Sequence, residues 1–162
     1  MIKQNNLVIL DIDGVLNPYY ASENNPAGFS GVTLKDNYYV YLNLDLQTDY
    51  LKRISELSTI VWGSAWEKLS NHLSEPLGMS ELEWIPISRT NVGLGTWKIK
   101  SIQKWLDNNE QKFDKIVWLD DELEQDAFDW ANESGNMLCI APDKEIGLTK
   151  KDYEEIIDFL SD

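Results

Sequence analysis

One cysteine and one histidine, Cys139 and His72, are all that the sequence offers of either residue. A lone thiol cannot close an intrachain disulfide. Cys139 lies inside the apolar run MLCIAP, where it reads as a small buried hydrophobe and points to a reducing, cytoplasmic setting. His72 has no cysteine or histidine partner near it, so neither a zinc centre nor a histidine-based triad can be assembled. No apolar run approaches the roughly 18 residues that a membrane span requires. The opening MIKQNNLVILD has too short an apolar stretch for a secretory leader, so no membrane partner is expected. Basic residues are scarce: 14 Lys and Arg stand against 28 Asp and Glu, a net charge of −14. Between Ile116 and Asp143 there is no basic residue and there are eight acids. This balance opposes extended nucleic-acid binding through a basic surface. It suits a solvated face, or one that concentrates divalent cations.

What is present is a packed core. The hydrophobic fraction is 43%, with seven Trp, seven Tyr and four Phe, and residues 1–162 read as one domain. LVIL (Leu7–Leu10), STIVWGS, LEWIPI, KIVWLDD and MLCIAP read as strands. Pro86 places the third of these at an edge. TDYLKRISEL, AWEKLSNHL, TWKIKSIQKWL, LEQDAFDWA and the segment after Thr149 carry helical spacing, with Thr149 and Asp152 suited to cap the last. The stretch from Pro18 to Leu44 reads as a loop and small flap, with YYVYLNL and residues around Phe29–Leu34 able to form a hairpin. Short, uniformly apolar strands alternating with helices predict an α/β fold. It is a three-layer, Rossmann-like arrangement with a parallel sheet of about five strands. Ligands in such folds bind outside the carboxyl ends of the strands.

Those ends carry the chemistry. In DIDG, Asp11 and Asp13 follow the first strand, and period-two alternation would put them on one face. A hairpin is one reading, since Asp-Gly between apolar residues favours a tight turn. The other is a cation site, because paired carboxylates repel unless neutralised and Mg²⁺ takes oxygen ligands only. Asp120 and Asp121 form a second acidic pair at the end of KIVWL, although Asp121 could instead cap the next helix. Ser64 closes TIVWGS, where it could bind a phosphate oxygen or serve as N-cap of the helix AWEKLSNHL. The fixed cation of such a site is Lys98 or Lys100. Lys98 shares a helical face with Ile102 and Trp105, whereas Lys100 shares one with Lys104 and Asp107, so Lys98 points inward. Trp62 and Trp66 flank Ser64 and could contact substrate, although core packing is the favoured reading. Gly93 and Gly95 lack dinucleotide-binding spacing.

Taken in order, DIDGVL, VWGS, Lys98 and WLDD resemble the four motifs of the haloacid dehalogenase (HAD) superfamily of phosphohydrolases. TIVWGSAW, TWK, VWLDDE and the late GLT are similar to the HAD domains of Swiss-army-knife RNA-repair proteins. The resemblance implies Asp11 as nucleophile forming an aspartyl-phosphate, and Asp13 as general acid and then base. It implies Ser64 and Lys98 as ligands of the phosphoryl group. Mg²⁺ would be held by Asp11, the Asp13 backbone carbonyl and Asp120, with Asp121 at or beside the metal. Fifty residues lie between Asp13 and Ser64, and 33 between Ser64 and Lys98, which leaves no room for an inserted cap domain. The expected activity is a Mg²⁺-dependent phosphatase for a phosphorylated small molecule or a phosphate exposed on a macromolecule. A nucleotidase or polynucleotide-end phosphatase is the alternative at the same site, and a non-catalytic acidic interaction protein the alternative of another class.

Overall fold

The computed structural model describes residues 4–24, 26–91 and 95–162; Gly93 lies outside them. The chain runs through β1 (Asn6–Leu10), α1 (Ala21–Asn24), β2 (Ser30–Thr33), β3 (Tyr39–Leu42) and α2 (Leu44–Leu57). It continues through β4 (Thr59–Trp62), α3 (Ile99–Asn108), β5 (Lys115–Leu119), α4 (Gln125–Ser134), β6 (Met137–Ile140) and α5 (Lys150–Ser161). The main sheet has the order β4-β1-β5-β6 and every pairing is parallel. That pairing excludes a hairpin at Asp13-Gly14, since β1 is flanked by strands more than 50 residues away.

Strand β1 is buried along its whole length, and its side chains divide strictly by parity. Val8 and Leu10 face a cluster with Tyr50, Leu51 and Ile54 of α2 and Tyr153, Ile156 and Leu160 of α5. Leu7 and Ile9 face the other way, against Ile102 of α3 and Ala127 and Ala131 of α4. A two-residue period on a doubly covered strand therefore generates three layers. Tyr50 and Tyr153 stack with ring centroids 5.0 Å apart and tie α2 to α5. Thr149 and Asp152 form the reciprocal capping box expected of α5.

The sheet has four strands where about five were expected. Of LEWIPI, only an isolated bridge between Trp62 and Trp84 remains, with Trp62 N–H donating to Glu83 and Ile85 N–H to Trp62. Pro86 follows at once; it has no N–H to extend a ladder. The segment after Ser64 forms a 3₁₀ helix, Glu67–Leu73. Strands β2 and β3 make the expected antiparallel flap, and no cap domain is inserted among the described residues. Among them, no helix is long and apolar enough to cross a membrane. Cys139 is buried and unpaired, and burial pushes its thiol up to about 12.

Candidate active site

Strand register assembles the site. Leu10 lies opposite both Trp62 and Leu119, so the residues that follow each strand, Asp11, Gly63 and Asp120, emerge side by side. Backbone bonds hold them there: Asp11 N–H donates to Leu119 at 3.1 Å and Gly63 N–H to Leu10 at 2.8 Å. Odd positions of β1 and even positions of β5 face α3, and Asp11 and Asp120 continue those rows toward Lys98. Lys98 occupies the N-cap of α3 and is only 3% exposed. Its ammonium lies 3.1 Å from Asp11 Oδ2 and 2.6 Å from Asp120 Oδ2, and donates to the Gly63 carbonyl at 3.1 Å. Burial alone would lower the Lys98 pKa, but the facing carboxylates override it and hold the ammonium charged. Lys100 is exposed, as its helical face predicts.

Asp13 does not share these partners. The strand ends at Leu10, and the chain turns through Val15, Leu16 and Asn17, whose N–H groups all donate to Ile12. Asp13 Oδ2 accepts from Trp66 Nε1 at 2.9 Å and its Oδ1 from Asn17 Nδ2 at 3.0 Å. Asp11 and Asp13 thus engage different neighbours.

Asp11, Asp120 and Asp121 each offer a carboxylate oxygen, and the three oxygens lie within 4.8 Å of one another. Three acids against one buried lysine leave about two negative charges to neutralise, and an all-oxygen donor set fits a hard divalent cation such as Mg²⁺. Burial and the Asp120 carboxylate hold Asp11 well above the usual carboxylate range, against the pull of Lys98. Burial, Asp120 and Glu122 push Asp121 up to about 6. Gly14, at φ +78°, makes room for this acid: a Cβ there would lie 2.4 Å from Asp121 Cγ. Asp121 is not a helix cap, since Glu124 holds the N-cap position of α4.

A pH signature follows for protein stripped of metal. Folded Asp121 keeps its proton up to about 6 while an ordinary carboxyl loses it near 3.8. The folded state therefore binds the extra proton between these values, and stability declines as pH rises through that window. In EDTA at pH 7.5, Asp121→Asn should exceed the parent by about 1 kcal/mol, discounted because the side chain is partly exposed. The gap should close by pH 4. Denaturant titrations at both values measure it; a variant no more stable than its parent at pH 7.5 counts against the assignment.

Ser64 is buried, and its hydroxyl accepts from Trp66 N–H at 3.1 Å, closing a local turn; the N-cap position of Glu67–Leu73 belongs to Trp66, not to Ser64. An accepting hydroxyl still has its own O–H to donate. Four partners lay beyond the sequence reading. Trp66, read there as core, reaches Asp13, and Asn17 reaches it from the other side. Asp126 anchors the segment before Lys98, accepting from Thr96 N–H at 3.1 Å and Thr96 Oγ1 at 2.5 Å. Thr96 Oγ1 in turn accepts from Glu124 N–H, locking the start of α3 to that of α4. Helical amphipathicity carries no signal for such a link across 30 residues.

A family model described as the HAD domain in Swiss Army Knife RNA repair proteins matches residues 7–153. The match takes in all four acids, Ser64 and Lys98. No curated protein matches the chain.

Proposed function

Since the chain belongs to the family of HAD domains in Swiss Army Knife RNA repair proteins, we infer that it is a Mg²⁺-dependent phosphomonoester hydrolase acting through an aspartyl-phosphate on Asp11. The observation that carries this reading is the buried Lys98 ammonium lying between Asp11 and Asp120. A cation sequestered with two acids is poised to compensate the charge of a transferring phosphoryl group. Asp11 attacks phosphorus. Asp13, half-buried at the opening, gives a proton to the departing oxygen and later takes one from the water that hydrolyses the aspartyl-phosphate. Ser64 donates its O–H to a phosphoryl oxygen, and Lys98 offsets the charge. Asp11, Asp120 and Asp121, with the Asp13 backbone carbonyl, would hold Mg²⁺. Bound there, the ion would supply charge neutralisation and orientation for the phosphate.

A ring-bearing leaving group, as in a nucleotide or polynucleotide end, is the second reading, and an aromatic pair favours it. Tyr38 packs on Trp66 with centroids 5.6 Å apart, and Trp66 touches the proton-handling Asp13. Tyr38 is 40% exposed, so part of its ring is accessible for stacking. The net charge of −14 favours a short end over an extended strand.

Hydrolysis of p-nitrophenyl phosphate tests the activity. Turnover should vanish in EDTA and return with Mg²⁺. Turnover that persists in chelator refutes the metal assignment, and inertness toward that ester, nucleotides and 3′-phosphorylated oligonucleotides alike supports the non-catalytic alternative.

A further inference from the structure

We propose that Trp66 and Asn17 form a two-donor clamp that aims the Asp13 carboxylate at the leaving group, making Trp66 a positioning residue for proton transfer. The inference rests on the phosphatase reading and concerns residues that reading does not use. Each Asp13 oxygen has one neutral donor: Trp66 Nε1 on Oδ2 at 2.9 Å and Asn17 Nδ2 on Oδ1 at 3.0 Å. The orientation of the Asn17 amide is fixed independently, because its Oδ1 accepts from Tyr41 N–H of β3 at 2.9 Å. Its NH₂ must therefore face Asp13. Trp66 is fixed from two directions, by its own N–H on Ser64 Oγ and by the Tyr38 ring packed against the indole. Both Tyr38 and Tyr41 belong to the flap, which thus braces both arms of the clamp.

The chemistry of the donors sets what the clamp can do. An indole N–H donates only, and the Asn17 amide presents only its NH₂ to the acid, so neither can remove the Asp13 proton. Neither neighbour competes with the substrate for that proton. In the first step a new bond forms between Asp11 and phosphorus, the bond from phosphorus to the leaving oxygen breaks, and that oxygen takes the proton of Asp13. Asp13 ends as a carboxylate. Hydrogen bonds to a carboxylate are stronger than those to the neutral acid, so both arms tighten as the proton departs. For the acid form that donates, that gain arises as the proton leaves, which is the condition for accelerating the step.

Leaving groups of different acidity expose this effect. An alkyl phosphate needs its oxygen protonated to leave, whereas p-nitrophenolate leaves without a proton. Trp66→Phe keeps an aromatic ring beside Tyr38 and deletes the N–H. Relative to the parent, its kcat/KM should fall roughly 10- to 100-fold for glycerol 3-phosphate and less than about threefold for p-nitrophenyl phosphate, both with Mg²⁺. Asn17→Ala should show the same split, which covers the case in which Trp66→Phe fails to fold. Equal losses on both esters, or no loss on either, overturn the clamp while leaving the phosphatase reading intact. A parent protein inert toward both esters, toward nucleotides and toward 3′-phosphorylated oligonucleotides alike overturns that reading and the clamp together.

Discussion

Asp11→Asn should abolish turnover and at the same time stabilise the metal-free fold. The two effects have one origin. Asp11 is 5% exposed, and burial with the neighbouring Asp120 holds its carboxyl well above the usual range despite Lys98. Because the folded state binds this proton more tightly than the unfolded state, stability is lost as pH rises through the folded pKa. Asparagine has nearly the same shape and no charge, so at pH 7.5 in EDTA the variant should melt above its parent. Lys98 keeps Asp120 as partner. An amide oxygen is a far poorer nucleophile than a carboxylate, and removing a nucleophile costs at least about 10⁴-fold in kcat. Thermal melting in EDTA and aryl phosphate hydrolysis with Mg²⁺ measure the two arms. A variant that still turns over refutes Asp11 as the nucleophile. One that melts below its parent refutes the charge argument.

That opposition between stability and activity bears on which parts of the molecule the sequence could reveal. LVIL, TIVW and KIVWL declare buried strands because a doubly covered strand must be apolar on both faces, and the acids after them stand out by contrast. Lys98 was legible for the same reason: helical spacing put a charge where only an apolar residue would otherwise be stable. Its place between Asp11 and Asp120 supplies the reason for that charge. The partners of Asp13 were not legible, because Trp66 and Asn17 come from other turns of the chain and carry no periodic signal. Trp66 was equally obscure, since a tryptophan beside a strand end is core by composition and its single N–H reveals nothing until a partner is placed. LEWIPI had the propensity of a strand, but Pro86 left it as one bridge on Trp62.

Lys98→Met should cost the most stability of any single change at the site. Methionine fills much of the same volume, so the loss is chiefly electrostatic. Asp11 and Asp120 would face each other, buried, with no counter-charge, and the Gly63 carbonyl would lose its donor. Breaking a buried ion pair by removing one partner costs roughly 3–5 kcal/mol, a large share of the 5–15 kcal/mol that holds a typical domain together. Lowering the pH should recover part of this, because protonating Asp11 removes the repulsion. A second substitution distinguishes charge from packing. Lys98→Met with Asp120→Asn should regain at least half of the lost stability in urea titrations, because one acid is then neutral. Turnover should stay absent in both variants, since neither has the cation that offsets the phosphoryl charge. If the double variant is no more stable than Lys98→Met, the buried lysine is held by packing, and the electrostatic account of this site is wrong.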